Sequence, residues 1–341
     1  MPISRWIQGA LATAAIALGS FLPWQVPSAA GTGTPADWSP PVVVATIAPV
    51  HSLVAAVMRG VGEPRLLVPG GSSPHAYALR PSDARAIQSA DLVVWIGPGL
   101  ETFLDRSMAS LATGGEVLRL VDTPGLRLLP LRDANAGRDG DAHGHAHPHD
   151  HGPGHGADGA GTGSDMHLWL DPENAWLMAG RIGQALAAMD PANAGAYRDN
   201  AAALRERLGS LDERIARQVA SLAGRGFIVF HDGYRYFEER YGLAPAGVLT
   251  VNPEVSPGAE RVRRMRARIV GEGVACVFIE PQFPAAIAET LVEGTDARIG
   301  RLDPLGAGIS PGPDLYPRLL SAMAASFLDC LAPTRAGEIG R

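Results

Sequence analysis

The chain has 341 residues, a formal net charge of −6 at pH 7 and an isoelectric point near 5.9. An acidic chain argues against nucleic acid or an anionic membrane surface as a partner. Without an N-terminal signal about 310 residues remain, which is enough for two domains of ordinary size.

Residues 1–30 have the features of a secretory signal peptide. Arg5 supplies a positive charge, residues 7–22 form an apolar run, and residues 28–30 fit the small-x-small rule for cleavage. An uncleaved membrane anchor is the alternative, but the run is short and rich in small residues. No cysteine lies near the cleavage region, which disfavours a lipid anchor. The sequence therefore predicts export to an oxidising compartment and removal of this segment.

Short apolar runs rich in β-branched residues alternate with helical patterns after the signal. Such runs are typical of strands that are buried on both faces of a parallel sheet. The alternation predicts β-α-β units with helices on both faces of the sheet. The predicted strands are residues 42–47, 65–68, 91–96 and 116–121, and the predicted helices are residues 51–59, 82–89 and 100–111.

Residues 133–164 contain almost no large apolar side chain, which predicts a disordered loop. The loop holds six of the ten histidines of the chain, and neutral imidazole is a common ligand of zinc-like metals. A purification tag is the alternative, but tags are terminal and usually uninterrupted. The composition therefore indicates an auxiliary loop that collects metal weakly. Its histidines are His143, His145, His147, His149, His151 and His155.

A long amphipathic helix is predicted at residues 190–223, after a shorter one at residues 173–189. Its apolar positions between Tyr197 and Leu222 advance by threes and fours along the chain. A coiled-coil arm is the alternative, but the stripe is short for one. A second alternating half follows. Its predicted strands are residues 227–230, 245–250, 274–280 and 297–302, and its predicted helices are residues 234–241, 257–271, 284–293 and 314–331.

The predicted fold class is α/β, with two Rossmann-like lobes whose parallel sheets are joined by one long helix. The N-terminal lobe covers residues 31–189 including the histidine-rich loop, the linking helix residues 190–223, and the C-terminal lobe residues 224–341. Ligands of such sheets bind beyond the carboxyl ends of the strands.

Four histidines lie outside the loop. His51 opens a helix, and we interpret it as a structural or exposed histidine. His75, His167 and His231 instead lie at strand exits or in loops that face the expected cleft. Three imidazoles with a carboxylate or water suit tetrahedral zinc, whereas manganese prefers more oxygen ligands.

Two carboxylates share this placement. Glu280 ends a predicted strand. Two roles are equally consistent with this position: a metal ligand, or an acceptor of a hydrogen bond from a metal ligand. Asp303 follows the last predicted strand, and we expect it to be a ligand or to lie near one.

The chain has two cysteines, Cys276 and Cys330. An even count in an exported protein favours a disulfide, and two buried thiols are the alternative.

Several motifs, in order over nearly the whole mature chain, resemble the zinc-binding periplasmic subunit of bacterial zinc ABC importers. They are PHAY at 74–77, RPSD at 80–83, ADLVVWIG at 90–97, HLWLDP at 167–172, FHD at 230–232, EPQF at 280–283 and LDPLG at 302–306.

The resemblance implies two lobes joined by a rigid helix, with zinc bound between them by His75, His167 and His231. Manganese-binding relatives carry a carboxylate where His231 stands, and the cysteine pair and the histidine-rich insertion also resemble the zinc branch. Some zinc members have an acidic residue immediately before the first ligand, where this chain has Pro74. The fourth position is therefore either Asp303 or water.

The function expected from this resemblance is capture of Zn²⁺, as transported ligand, in the periplasm and delivery to an ABC permease and its ATPase by a monomer. The chain lacks a P-loop and an H-E-x-x-H motif, so neither a motor nor that class of zinc protease is indicated. The alternatives are a manganese carrier of the same family, an exported zinc hydrolase and a metal-buffering protein.

Overall fold

The computed structural model describes residues 39–132, 163–251 and 253–332. The predicted signal peptide and the six loop histidines lie outside the described residues. Within the described ranges, no helix is both long enough and apolar enough to cross a bilayer.

The first sheet is parallel, as the buried apolar runs predicted. Its strands are β1 (Val43–Ala45), β2 (Arg65–Leu66), β3 (Leu92–Trp95) and β4 (Glu116–Arg119), in the order β2-β1-β3-β4. Helices α1 (Ala48–Val57), α2 (Pro81–Gln88) and α3 (Thr102–Leu111) connect them. The strands are shorter than predicted because the chain turns into loops or a 3-10 turn at their carboxyl ends.

The second sheet repeats this topology. Strands β5 (Phe227–His231), β6 (Gly247–Thr250), β7 (Cys276–Ile279) and β8 (Arg298–Arg301) are parallel and lie in the order β6-β5-β7-β8. Helices α6 (Arg235–Tyr241), α7 (Ala259–Glu272), α8 (Ala286–Val292) and α9 (Leu315–Leu331) complete this half. The α/β fold class is thus confirmed.

Two helices lie between the sheets. Helix α4 spans Pro172–Met189, and helix α5 spans Ala194–Val219, about 39 Å at 1.5 Å per residue. The predicted helix at 190–223 is therefore shorter, because 3-10 turns form at Pro191–Asn193 and Ala220–Leu222. The apolar stripe of α5 is buried and contacts α4, α1 and α9, so the coiled-coil interpretation is wrong.

One apolar cluster joins both halves of the molecule. It contains Val43 and Leu92 of the first sheet, Leu204 of α5, and Phe227 and Phe278 of the second sheet. Alternate strand residues point away from it, so separate clusters cover the outer face of each sheet. The limits of the lobes at residues 189 and 223 stay a prediction.

A disulfide links Cys276 of β7 to Cys330 near the end of α9, with the Cα atoms 6.0 Å apart. The predicted pairing is confirmed, and the interpretation as two free thiols is wrong.

A buried carboxylate fills the gap between β1 and β3, where the strand order of the first sheet changes direction. Glu101 accepts hydrogen bonds from the Thr46 hydroxyl at 2.6 Å and from the backbone N–H groups of Ile96 and Gly97 at 3.2 and 3.0 Å. Burial raises the pKa of Glu101 to about 7, although these donors act in the opposite direction. Doubly wound sheets usually bind ligands at this position. Here the chain occupies it with its own side chain.

The raised pKa of Glu101 predicts a pH-dependent contribution to stability. Because the native state favours the protonated carboxyl, this contribution is lost as the pH rises from about 4.5 to about 7. We expect the free energy of unfolding of Glu101→Gln, relative to the native protein, to increase by about 2 to 3 kcal/mol between about pH 5 and pH 8. Urea denaturation of both proteins at the two pH values measures this change. Any cost of the substitution that does not depend on pH is the same at both values and cancels in the comparison. A difference that stays constant would contradict the assignment.

Candidate metal centre

Three histidines that are far apart in sequence meet between the two sheets. The Nε2 atoms of His75 and His167 are 3.3 Å apart, and those of His167 and His231 are 3.2 Å apart. One ligand atom from each of the three residues lies within 4.8 Å of the others. Nitrogens bound at 2.0–2.1 Å to a tetrahedral zinc ion would be about 3.3 Å apart. The spacing therefore fits three corners of a tetrahedral metal site.

Each histidine is positioned by the end of an element. His231 is the last residue of β5, at the point where the order of the second sheet changes direction between β5 and β7. His167 precedes a 3-10 turn, Leu168–Leu170, that leads into α4. His75 lies in the loop between β2 and α2 and is the most exposed of the three.

Two carboxylates orient the rings from behind. Asp165 accepts a hydrogen bond from Nδ1 of His167 at 2.8 Å and another from its backbone N–H at 2.9 Å. Glu280 accepts a short hydrogen bond from Nδ1 of His231. With Nδ1 as donor on both rings, the Nε2 lone pairs remain available for the shared centre.

These contacts separate the roles of the two carboxylates. The sequence left open whether Glu280 is a metal ligand or a hydrogen-bond acceptor. In the structure it lies behind the His231 ring and accepts a hydrogen bond from it. Asp165 was missed by the sequence analysis. The signal available was its position two residues before His167, which is a distance a short side chain spans in a tight turn.

The rings differ in electrostatic environment. Burial, together with the neighbouring His167 and His231, lowers the pKa of His75 to about 2. Burial also opposes protonation of His231, but the carboxylates of Glu280, Asp165 and Asp232 together outweigh burial, and the pKa of His231 is raised. His75 is therefore neutral at any ordinary pH, whereas the pKa of His231 lies above its usual value.

Asp303 is not brought into the histidine group. Its Oδ1 accepts from the backbone N–H groups of Leu305 and Gly306 at 3.1 and 2.9 Å, and its Oδ2 accepts from that of Ala307 at 2.6 Å. The carboxylate thus closes a turn after β8. His51 also lies apart from the group, buried in α1 with Nε2 3.0 Å from the carbonyl oxygen of Pro64.

Hydrogen bonds between the two halves fix the turn that carries His167. The indole N–H of Trp169 donates to the carbonyl oxygen of Pro304 at 2.8 Å. The hydroxyl of Tyr316 in α9 donates to the carbonyl oxygen of Trp169 at 2.6 Å, and that of Tyr236 in α6 donates to the backbone carbonyl oxygen of Asp165 at 2.8 Å. The turn from the first half is therefore held by the second half of the chain.

The ends of the histidine-rich segment lie beside the centre. The backbone N–H of Leu131 donates to Gly163 at 2.9 Å, so the chain on either side of residues 133–162 is paired. Arg132 donates to Asp232 at 3.0 Å and to Glu238 at 2.5 Å. Asp232 adjoins His231, so the segment begins next to a residue of the group.

A cavity of about 10 Å³ opens beside the three histidines. This volume is close to that of a single water molecule or ion. Its walls include Trp169, Pro253, Glu280, Gln282 and Phe283.

Comparison with known proteins gives consistent matches. The family described as zinc-uptake complex component A, periplasmic (ZnuA), matches residues 43–330. The high-affinity zinc uptake system protein ZnuA of Brucella suis biovar 1 is 45% identical over 305 residues, 85% of this chain and 91% of that protein. The protein of the same name from Yersinia pestis is 35% identical over 328 residues, 96% of this chain and 98% of that protein.

Solved structures share the fold. A crystal structure of ZnuA matches with a TM-score of 0.72 at 23% identity, over 86% of this chain and 100% of that one. The periplasmic zinc-binding protein TroA from Treponema pallidum matches with a TM-score of 0.71 at 22% identity, with the same coverage. At such identities the structural likeness establishes the fold alone.

The carboxylate contacts predict a specific tautomer. At alkaline pH we expect His167 to carry its proton on Nδ1, because Asp165 accepts from that atom. Nitrogen NMR of labelled protein distinguishes the two tautomers. The Asp165→Leu variant, which has no acceptor, should lose this preference, while His75 serves as an internal control. A proton on Nε2 of His167 in the native protein would contradict the arrangement.

Proposed function

The chain belongs to the family of periplasmic zinc-uptake component A (ZnuA) proteins, and from this premise we propose that it captures one Zn²⁺ between His75, His167 and His231 for uptake. The observation that carries the proposal is the spacing of the Nε2 atoms, 3.2 and 3.3 Å, which matches the edge of a tetrahedral zinc site. Water completes the coordination, because Asp303 is engaged in a turn and Pro74 stands before the first ligand.

The donor set favours zinc over manganese. All three ligands are neutral nitrogens, whereas manganese prefers carboxylate and water oxygens. Asp165 and Glu280 add negative charge behind two of the rings without binding the ion themselves. Such partners typically strengthen metal affinity by 10- to 100-fold. A nanomolar site, about −12 kcal/mol, is within reach of three histidines on a prearranged framework.

Transport fits the site better than hydrolysis. Glu280, the carboxylate that lines the cavity, is engaged by His231 and is not free to take a proton from water. The cavity beside the three histidines is small, about 10 Å³, and Glu280 is the one carboxylate among the described residues that line it. The chain is therefore a carrier: it is exported to the periplasm with its signal peptide removed, and it delivers zinc as a monomer to an ABC permease and its ATPase.

The histidine-rich segment acts as a weak collecting arm. Its ends are paired beside His231, so zinc bound there is kept at high local concentration near the tight site. A buffering protein would depend on this segment for most of its capacity, whereas a carrier would not.

Calorimetric zinc titration of the mature chain tests the proposal. We expect one tight site in the native protein, and loss of affinity of on the order of 100-fold or more in His75→Ala, His167→Ala and His231→Ala, because each removes one of three ligands. His51→Gln, outside the group, is the matched control and should keep the site. Deletion of residues 133–162 should also keep it, while reducing the number of weakly bound ions. A tight site that survives all three alanine variants would overturn the proposal.

Zinc affinity should fall as the pH is lowered. Proton and metal compete for Nε2, and the raised pKa of His231 means that this competition begins above its ordinary value of 6.5. Below that pKa we expect about a tenfold loss of affinity per pH unit. In Glu280→Gln the onset should move to lower pH, because burial then dominates the pKa of His231. Titrations at several pH values measure this, and an affinity that is constant down to about pH 5 would contradict it.

A further inference from the structure

We propose that Gln282 holds the water molecule that completes the coordination of the bound metal. The inference rests on the proposed function, because it concerns the fourth position of that same site. It assigns a positioning role to a side chain in the loop after β7, which binds no metal itself.

The orientation of the Gln282 amide is set by its neighbours. Its Nε2 lies 3.5 Å from the carbonyl oxygen of Gly70 and 3.4 Å from Oδ1 of Asp303. Both of these atoms only accept hydrogen bonds, so the nitrogen rather than the oxygen must face them. The oxygen, Oε1, therefore points to the other side of the amide.

This oxygen is a buried acceptor that no group in the described part of the chain satisfies. Gln282 lines the cavity beside the histidines, whereas Gly70 and Asp303, to which its nitrogen turns, do not. Oε1 is thus the polar atom of Gln282 that has no partner, in a residue that lines the cavity. A buried acceptor without a partner is costly, and a water molecule in a space of this size would remove that cost.

The other polar side chains that line the cavity are engaged. Glu280 accepts from His231, Trp169 donates to Pro304, and Ser73 accepts from the backbone N–H of His75. Among the described side chains that line the cavity, Gln282 is the one with a buried polar atom that no protein group satisfies. It is also neutral, and a metal-bound water is a strong donor that needs an acceptor.

The chemistry of an amide suits this role. A carboxylate at the same place would compete to bind the ion directly, which would close the fourth position with a charged ligand. An amide oxygen is a weaker ligand for zinc, so it orients the water and leaves the position exchangeable. The same side chain links the His75 loop, through Gly70, to the turn closed by Asp303.

The test uses the full chain with one equivalent of Co²⁺, whose visible absorption reports the coordination of the tight site. Azide is titrated against the native protein, Gln282→Met and Gln282→Glu. Both variants lose the amide nitrogen that faces Gly70 and Asp303, but only Gln282→Glu retains an acceptor. The two substitutions therefore separate the donor from the acceptor role of the side chain.

In Gln282→Met we expect azide to displace the water at a concentration about tenfold lower than in the native protein, because one hydrogen bond to the bound water is lost. In Gln282→Glu the azide midpoint should equal or exceed the native one. A changed spectrum of Gln282→Glu before azide is added also supports the proposal, since it places the oxygen within reach of the ion.

Equal azide midpoints in all three proteins would overturn the inference, as would the same shift in both variants, which would mean that the side chain acts only through its nitrogen. In either case the native protein would still bind one ion, and the proposed function would stand. A native chain that bound no Co²⁺ or Zn²⁺ tightly would instead refute the proposed function itself. Circular dichroism and one bound Co²⁺ per chain establish that each variant is folded.

Discussion

Two hydrogen bonds between a carboxylate and an imidazole determine what the centre can bind. Asp165 and Glu280 each accept from an Nδ1 atom, and each thereby turns a ring so that its Nε2 faces the other rings. A ring without such a partner could rotate and present either nitrogen, at a cost in entropy when a ligand binds. Three unprotonated nitrogens within about the spacing of a zinc tetrahedron are mutually unfavourable until a cation lies among them. The two carboxylates therefore restrict which nitrogen of each ring can face the centre.

The remainder of the fold maintains this arrangement. Helix α5 is buried along its stripe, and one apolar cluster continues through it from the first sheet to the second. Hydrogen bonds from Trp169, Tyr236 and Tyr316 fasten the turn of His167 to the opposite half. Because tightly packed interiors have little freedom to deform, the histidines from both halves keep a fixed separation. The more exposed His75, on a loop between β2 and α2, is the histidine of the group that this packing constrains least.

The two sheets have the same topology, yet the positions at which their strand orders change direction have different roles. In the first sheet the carboxylate of Glu101 occupies this position and accepts hydrogen bonds from Thr46, Ile96 and Gly97. In the second sheet Glu280 accepts a hydrogen bond from Nδ1 of His231, and Nε2 of the same ring faces His167. The two carboxylates thus differ in their partners: Glu101 is enclosed by its donors, whereas Glu280 supports a histidine of the group.

Much of the fold was predictable because it depends on local patterns. Apolar runs such as residues 92–95 and the stripe of α5 identify strands and a buried helix by their periodicity. The ends of elements were less accurate, since Asp190 and Pro191 start a 3-10 turn before α5 begins. Asp303 shows the limit at the site: the sequence places it after a strand, but only the folded chain shows its oxygens bound to the backbone N–H groups of Gly306 and Ala307.

The sequence by itself determined the types of chemistry in this protein: an α/β chain, two cysteines able to pair, and three histidines at the exits of predicted elements. Those features follow from residue identity and short-range spacing. Only the tertiary structure decided which nitrogen of each ring faces the centre, which carboxylates stand behind the rings, and which way the Gln282 amide points. These are relations between atoms up to 212 residues apart in the chain, and packing rather than local sequence sets them.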